Sequence, residues 1–214
     1  AAGVANRGWP ISVVADDSSF PEMFDRFRRL REAWGVHVIP WRNLREIYAV
    51  LRRREMLALL IDWGYRADGV PVRLFGEWTT LPAGPATLAA KSHSVILPVA
   101  IRRQDDGMFH VSFGDVITVA STSDADIARA TQTLADALGS TIAAAPSQWY
   151  SFKPMWPSTE AEADELAARA ARMLDGTVAA AAETGDDAGL PAASDIAAPS
   201  ERSPGRIDPE PATS

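Results

Sequence analysis

The sequence contains no cysteine, which excludes disulfide bonds, thiolate metal sites and a cysteine nucleophile. Long apolar runs are also missing, because no stretch approaches the roughly 18 to 20 residues that a membrane-spanning helix requires. The first residues do not combine a charged region with an apolar core, so we expect no signal peptide there. These absences together fit a cytoplasmic setting.

Short motifs of nucleotide and hydrolase sites are absent as well. The sequence has no Gly-x4-Gly-Lys-Ser/Thr loop, no Gly-x-Gly-x-x-Gly turn and no Gly-x-Ser-x-Gly elbow. Its three histidines are not paired at metal-ligand spacing. We therefore expect no metal, no cofactor and no nucleic-acid partner.

Charge is distributed unevenly along the 214 residues, whose net charge is −7. Residues 176–214 carry seven acidic residues against two arginines, which gives −5 and leaves −2 for the remainder. The segment 21–54 carries nine arginines against four acidic residues, a local charge of +5. This charge indicates either a surface that faces a lipid headgroup or a cofactor phosphate, or the solvent faces of two amphipathic helices.

Strand-like and helical segments alternate along residues 1–175, which predicts an α/β domain with a single open sheet flanked by helices. Residues 176–214 have few large apolar side chains, so we predict a disordered acidic Ala/Pro-rich tail. Predicted strands cover 9–14, 36–39, 57–61 and 95–99, and a hairpin is predicted from 102 to 113. Predicted helices begin near Pro21, Leu44, Ser123 and Thr159. The first helix places its apolar residues on one stripe: Met23, Phe24, Phe27, Leu30 and Trp34.

The segment from Leu57 to Val99 gathers polar groups between two predicted buried strands. Asp62 follows the first strand, Gly76 and Glu77 follow a short arm, and Gly84 lies where a Pro-rich loop becomes a helix. Open α/β sheets bind ligands at the edge where their strands end. The segment therefore predicts a ligand site at that edge.

This segment resembles the lysophospholipid acyltransferase superfamily, in its branch of lipid A biosynthesis lauroyl acyltransferases and phosphatidylinositol mannoside acyltransferases. The resemblance rests on Asp62, on Phe75-Gly76-Glu77, on the Pro82–Ala89 run and on the apolar run ending at Pro98. A second match is Pro146-Ser-Gln-Trp-Tyr150, similar to a Pro-x-Gln-Trp-aromatic segment of the family. The family has a paired aromatic where this chain has Leu74 and Phe75.

The resemblance implies an O-acyltransferase that moves a fatty acyl chain from acyl-CoA or acyl carrier protein to a hydroxyl of a membrane glycolipid. It implies a peripheral enzyme at the cytoplasmic face of the plasma (inner) membrane. The phosphatidylinositol mannoside type is favoured because a Glu follows Phe-Gly directly. A non-catalytic lipid-binding domain that has lost its base is the alternative.

The family's base is a His in an upstream His-x4-Asp/Glu motif, which this chain lacks. We therefore expect the chain to be truncated at its N-terminus and to correspond to the C-terminal two-thirds of such an enzyme. His110 and Asp115 match the motif in a predicted strand after the Gly-Glu arm, so we interpret the match as chance spacing and keep a catalytic role for His110 as the alternative. We interpret His37 as a structural or half-buried strand residue, and His93 as a helix-end residue.

Glu77 is the predicted catalytic residue, by resemblance, and its alternative is a solvated loop carboxylate. Asp62 is either a site residue or an acid that caps a loop. Gly84 would let backbone amides at a helix N-terminus approach an anionic group, or it simply begins the helix. The predicted substrate-binding residues are Asp62, Gly76, Gly84, Gln148 and Trp149, although the last two, as aromatic-segment residues, are also explained by packing.

Overall fold

Strands and α-helices alternate through residues 1–17 and 21–175, the part of the chain that this computed structural model describes. The strands are β1 (Ile11–Ala15), β2 (His37–Pro40), β3 (Met56–Ala58), β4 (Val70–Leu74), β5 (Glu77–Leu81), β6 (Val99–Arg103) and β7 (Phe109–Phe113). The helices are α1 (Ala2–Ala5), α2 (Pro21–Ala33), α3 (Leu44–Arg52), α4 (Gly84–Ser92), α5 (Asp124–Ala144) and α6 (Glu160–Asp175). This confirms the α/β class with an open sheet flanked by helices. The predicted tail, 176–214, lies outside the described residues.

The first three strands form a parallel sheet in the order β2-β1-β3. The crossover through α2 and the crossover through α3 run in opposite directions along this sheet, so right-handed connections place the two helices on opposite faces. Helix α3 buries Ile47 and Val50 against Ile39, with Val14 and Leu57 packed around them. The α3 face of the sheet is therefore the well-packed one.

The other four strands form two antiparallel hairpins. Strand β4 pairs with β5, and β6 pairs with β7. The strands of the described residues thus divide into three ladders rather than one sheet. Short connections favour this arrangement, because two strands joined by a turn pair with each other before either reaches a distant edge.

Two predicted buried strands are shorter or displaced in the structure. Where a strand was predicted over 57–61, the structure has only the short strand Met56–Ala58. Leu60, predicted to be buried, is 85% exposed. In the second, Ile96 makes an isolated bridge to Ile117, and regular pairing starts at Val99. Pro98 lacks the amide hydrogen that a continuous ladder would need.

Helix α5 is central to the larger core. Its buried residues pack against α4 and the start of β4 in one cluster, and against Val72 and Leu81 through Ala135 in a second. Helix α6 packs against α5 and the β4–β5 hairpin. Side chains cap the N-termini of both helices: Ser123 Oγ accepts from the Asp126 amide at 3.2 Å, and Thr159 with Glu162 forms a capping box.

The apolar stripe of α2 faces solvent, contrary to the usual expectation that such a stripe faces the core. Met23, Phe27, Leu30 and Trp34 are 52%, 45%, 46% and 49% exposed. The half-buried side of α2 is instead made by Phe24, Arg28 and Arg31. Helix α2 thus contacts β2 through a side that sequence periodicity did not indicate.

None of the helices in residues 1–17 and 21–175 has the length and apolar content to cross a bilayer.

Candidate functional site

Asp62 and Trp149, two residues of the predicted site, meet in the structure. The Trp149 indole Nε1 donates a hydrogen bond to Asp62 Oδ2 at 3.3 Å, and both residues are partly buried. Asp62 lies four residues beyond β3, and Trp149 follows the short helical turn after α5. An ionised carboxylate that accepts from an indole stays available on its second oxygen, so this pair can bind a further donor.

The segment 62–69, which we call the Asp62 loop, is fixed by the same part of the chain. The Tyr65 amide donates to the Pro154 carbonyl at 2.8 Å, and Lys153 Nζ lies 4.1 Å from the centre of the Trp63 ring. Gly64 permits this approach, because a Cβ there would come within 2.9 Å of the Lys153 Cβ. The loop is therefore held in place although half of its residues are exposed.

The far end of the Asp62 loop is held by α6. The Arg169 guanidinium donates to the Ala67 carbonyl at 2.6 Å and to the Gly69 carbonyl. Within the loop, the hydrogen bond from Arg66 lowers the pKa of Asp68 below its ordinary value and leaves it ionised. These contacts fix the loop's backbone from both ends, which is the preorganisation that a binding loop requires.

Gln148 has a structural role that its sequence context does not reveal. Its side-chain Oε1 accepts from the Arg103 amide and its Nε2 donates to the Arg103 carbonyl, both at 2.8 Å. The side chain thus completes the hydrogen bonding of the free edge of β6, as another strand would. A substrate-binding role for Gln148 stays a prediction, and it would have to be compatible with these two bonds.

Glu77 begins β5 at the tip of the β4–β5 hairpin. Phe75 and Gly76 have φ angles of 55° and 86°, the left-handed pair of a two-residue type I′ turn. Glu77 lies opposite Leu74 in the register, so both side chains are on one face of the hairpin. Among the described residues Glu77 is exposed and has no hydrogen-bond or ion-pair partner.

Next to this tip lies an open groove of about 330 Å³ between the end of β4 and α5. Gly139 on α5 brings the two elements together, because a Cβ there would lie 3.3 Å from Leu74 Cδ1. The groove is lined by Arg73, Leu74, Phe75, Ala135, Asp136, Gly139, Ser140 and Ala143. Its lining combines apolar side chains with one arginine and one aspartate.

Arg73 shapes the tip from the other face of the hairpin. Its guanidinium donates to the Gly76 carbonyl at 2.8 Å and lies 4.7 Å from the centre of the Trp78 ring. Gln132 on α5 accepts from the Arg73 amide at 2.8 Å and donates to its carbonyl at 3.0 Å. Arg73 and Gln132 fix the turn that carries Glu77, and no local sequence signal identified them.

Gly84 is the first residue of α4, and a Cβ at this position would meet nothing within 4 Å. No side chain caps the helix there and Pro85 has no amide hydrogen, so the amides of Gly84 and Ala86 are the ones left without a side-chain cap. The predicted anion-binding role of Gly84 stays a prediction. Its local geometry leaves the space that such a role needs.

The predicted residues fall into two groups. Ile61, next to Asp62, packs against the two clusters that contain Val70 and Leu81, at the open end of the β4–β5 hairpin. Glu77 lies four residues from Leu81, about 13 Å along the strand, at the opposite end. Asp62, Trp149 and Gly84 thus lie toward one end of the hairpin, and Gly76 with Glu77 at the other.

The histidines are distributed away from both groups. His37 is exposed rather than half-buried, and its Nε2 lies 2.6 Å from Glu46 Oε1, a contact that fits a structural role. His93 ends α4 in a left-handed conformation with φ of 53°. His110 is exposed on β7, which ends before Asp115. Among the described residues no cluster of His, Asp and Glu has the composition of a metal site.

A parallel sheet, a Phe-Gly-Glu hairpin and a Pro-x-Gly helix start are the structural features on which the resemblance to α/β acyltransferases rests. Residues 3–158 match the family model described as "Bacterial lipid A biosynthesis acyltransferase". The chain therefore belongs to that family.

Two relatives define the branch. The chain is 32% identical over 158 residues to a phosphatidylinositol mannoside acyltransferase of Mycolicibacterium smegmatis, a match that covers 72% of this chain and 50% of the relative. It is 28% identical over 158 residues to the protein of that name from Mycobacterium tuberculosis, covering 72% and 49%. The resemblance to the lipid A and phosphatidylinositol mannoside branch is thus confirmed, and the chain spans about half the length of these relatives.

Proposed function

We propose that the chain takes part in the transfer of a fatty acyl group from acyl-CoA or acyl carrier protein to a hydroxyl of a membrane glycolipid, of the phosphatidylinositol mannoside type. The observation that carries the proposal is the Phe75-Gly76-Glu77 turn in a member of this family. Its two left-handed residues present the Glu77 carboxylate to solvent, beside a groove with an apolar wall.

The chemistry requires a group that accepts the proton of the acceptor hydroxyl as its oxygen attacks the thioester carbonyl. The carbonyl oxygen becomes an oxyanion, which needs hydrogen-bond donors. The thiolate leaves when the tetrahedral intermediate collapses. In this scheme Glu77 orients the base or the acceptor hydroxyl, and the unused amides at the start of α4 are available to an anionic group.

The scheme does not assign the base that takes the hydroxyl proton. Among the described residues no histidine makes a contact with Glu77. Of the two imidazoles on strands, His37 is already bonded to Glu46, whereas His110 is exposed and not bonded to any described group. His110 is therefore the first residue to test as a base within this chain.

This missing contact favours the second candidate function, a lipid-binding domain without catalysis. Such a domain would use the same groove and the same exposed turn to hold an acyl chain or a headgroup. Under either function we propose a peripheral location at the cytoplasmic face of the plasma membrane, because the proposed acceptor resides in the membrane.

The test is transfer of radiolabelled palmitate from palmitoyl-CoA to a mannosylated phosphatidylinositol dispersed in detergent. We expect the Glu77→Gln variant to lose at least a hundredfold in rate, since it keeps the shape but removes the charge. Asp105→Asn is the matched control, because Asp105 is also an exposed carboxylate at a hairpin turn. We expect its rate to equal that of the unchanged chain.

Equal rates in both variants would show that Glu77 has no part in the reaction. If the unchanged, folded chain binds palmitoyl-CoA but gives no transfer, and a version extended upstream gives none either, the lipid-binding function is the correct one. Loss of transfer in His110→Gln alone would identify the base.

A further inference from the structure

The solvent-facing side of α2 has the apolar composition of a surface that inserts into a non-aqueous phase such as a lipid bilayer. Met23, Phe27 and Leu30 are each about half exposed, and Trp34 extends the stripe just past the helix end. A helix of a folded domain ordinarily turns such a stripe toward its core. Here the side that contacts β2 carries Phe24 and Arg28 instead, and the half-buried Arg31 lies at the boundary between that side and the stripe.

The charges of α2 are ordered around this stripe. At about 100° per residue, the four apolar side chains span roughly 60° of the helix circumference. Arg26 and Arg31 flank the stripe on its two sides, each about 70° from its centre, whereas Asp25 and Glu32 lie about 170° away and Glu22, in the first turn, about 110° away. The acidic side is further neutralised, because Asp25 pairs with Arg28 at 3.0 Å.

The flanking arginines extend along the stripe. The Arg31 guanidinium carbon lies 5.7 Å from the centre of the Phe27 ring, so its stem covers apolar surface while its charge stays at the edge. Arg26 is exposed and has no ion-pair partner among the described residues. Aromatic and aliphatic residues between two arginines, with two of the three acids on the opposite side, resemble the arrangement of helices that lie in a bilayer interface.

We propose that α2 is an interfacial helix that docks the protein on an anionic lipid bilayer. Met23, Phe27, Leu30 and Trp34 enter the acyl boundary, and Arg26 and Arg31 contact anionic headgroups. The proposal rests on the membrane location proposed above and names the surface responsible for it. It does not involve the Glu77 turn or the Asp62 loop.

The test is co-sedimentation of the full chain with vesicles of phosphatidylcholine alone or with 30% phosphatidylglycerol, without donor or acceptor. We expect binding to the anionic vesicles only, and a loss of affinity as salt is raised. Phe27→Asp should weaken binding at least tenfold. Arg26→Gln should weaken it about fivefold, because one arginine near an anionic surface contributes about 1 kcal/mol.

Phe109→Asp is the matched control, since Phe109 is 69% exposed but lies on the β6–β7 hairpin. It should bind like the unchanged chain. Brominated lipid should quench tryptophan emission less in Trp34→Phe than in the unchanged chain, which reports insertion directly. Both α2 variants alter exposed side chains, and circular dichroism checks that they fold.

Equal binding to neutral and anionic vesicles, or equal binding of Phe27→Asp and the unchanged chain, would overturn the proposal. A change of oligomeric state in Phe27→Asp without lipid would also overturn it, because the stripe would then be a protein interface. Acyl transfer to the detergent-dispersed acceptor is unaffected by these outcomes, so a failure of the docking surface and a failure of the proposed function are distinguishable.

Discussion

The two hairpins of this protein have similar backbones and opposite surroundings. In both, two five-residue strands pair over their whole length. The β4–β5 hairpin is covered by α5 and α6 and buries nearly all its apolar residues, whereas β6–β7 leaves Val99, Ile101, Val111 and Phe113 exposed on one face. Alternation and turn signals therefore establish a hairpin, and only the helices beside it decide whether it becomes core.

Shortening one valine in each hairpin is the strongest test of whether the two hairpins differ in burial. Val72 is fully buried and Val111 is 44% exposed. We expect Val72→Ala to lower the free energy of unfolding by about 2 to 3 kcal/mol, through lost burial and a residual cavity. Val111→Ala should change it by less than about 0.5 kcal/mol. Urea denaturation of both variants measures the difference, and equal losses would mean that β6–β7 is as buried as β4–β5.

Each hairpin is also bonded by one glutamine side chain from outside it, which we call a glutamine clamp, so the two hairpins can be compared by removing the clamps one at a time. Gln132 and Gln148 both bond the amide and the carbonyl of an arginine in the first strand of their hairpin. We expect Gln132→Ala and Gln148→Ala each to lower the free energy of unfolding by about 1 to 2 kcal/mol. Hydrogen exchange should accelerate at residues 70–74 in the first variant and at 99–103 in the second. Exchange that speeds up in neither strand would contradict the clamp interpretation.

The two hairpins should also differ, by a smaller effect, in how strongly acid accelerates their hydrogen exchange. Hydrogen bonds from Thr159 and Ser158 hold the pKa of Glu162 below its ordinary value of 4.5. The stabilisation is therefore complete above that value and is lost as pH falls through the lower folded-state pKa. Because α6 packs on β4–β5 and not on β6–β7, acid should accelerate hydrogen exchange in the first hairpin before the second.

Glu162→Gln should remove most of this pH dependence, whereas Glu165→Gln, a control on the same helix, should retain it. Exchange that accelerates equally in both hairpins would show that the capping box does not control the docking of α6.

Local signals in the sequence predicted much of this fold. Ser123 and the Thr159–Glu162 box fixed two helix starts, and the segment 102–113 predicted the second hairpin. The strand predicted at 95–99 was wrong because Pro98 interrupts pairing, and the α2 stripe was found on the outside because the β2 face is met by Phe24 and two arginines instead. Periodicity identifies an apolar side of a helix, but the partner that covers it lies elsewhere in the chain.

The candidate site, like the fold, was predicted from the sequence only in part. Asp62 and Trp149 were both predicted, yet their hydrogen bond joins residues 87 positions apart, which no local pattern reveals. Arg73, Gln132 and Gly64 shape the site through contacts that depend on tertiary structure, so sequence reasoning missed them. The roles of Glu77, Gly76, Gly84, Gln148 and the Asp62–Trp149 pair in substrate binding or catalysis stay predictions.

The Asp62 loop is held by residues far along the chain, which affects the order in which parts of the protein can fold during synthesis. Its partners, Trp149, Lys153 and Arg169, are synthesised well after it, and at about 5 to 20 residues per second the 87 positions from Asp62 to Trp149 take roughly 4 to 17 s. During that interval on the ribosome the loop has none of its three anchors. The order of translation thus leaves this part of the candidate site as one of the last to acquire its shape, after the parallel sheet and the first hairpin have been synthesised in full.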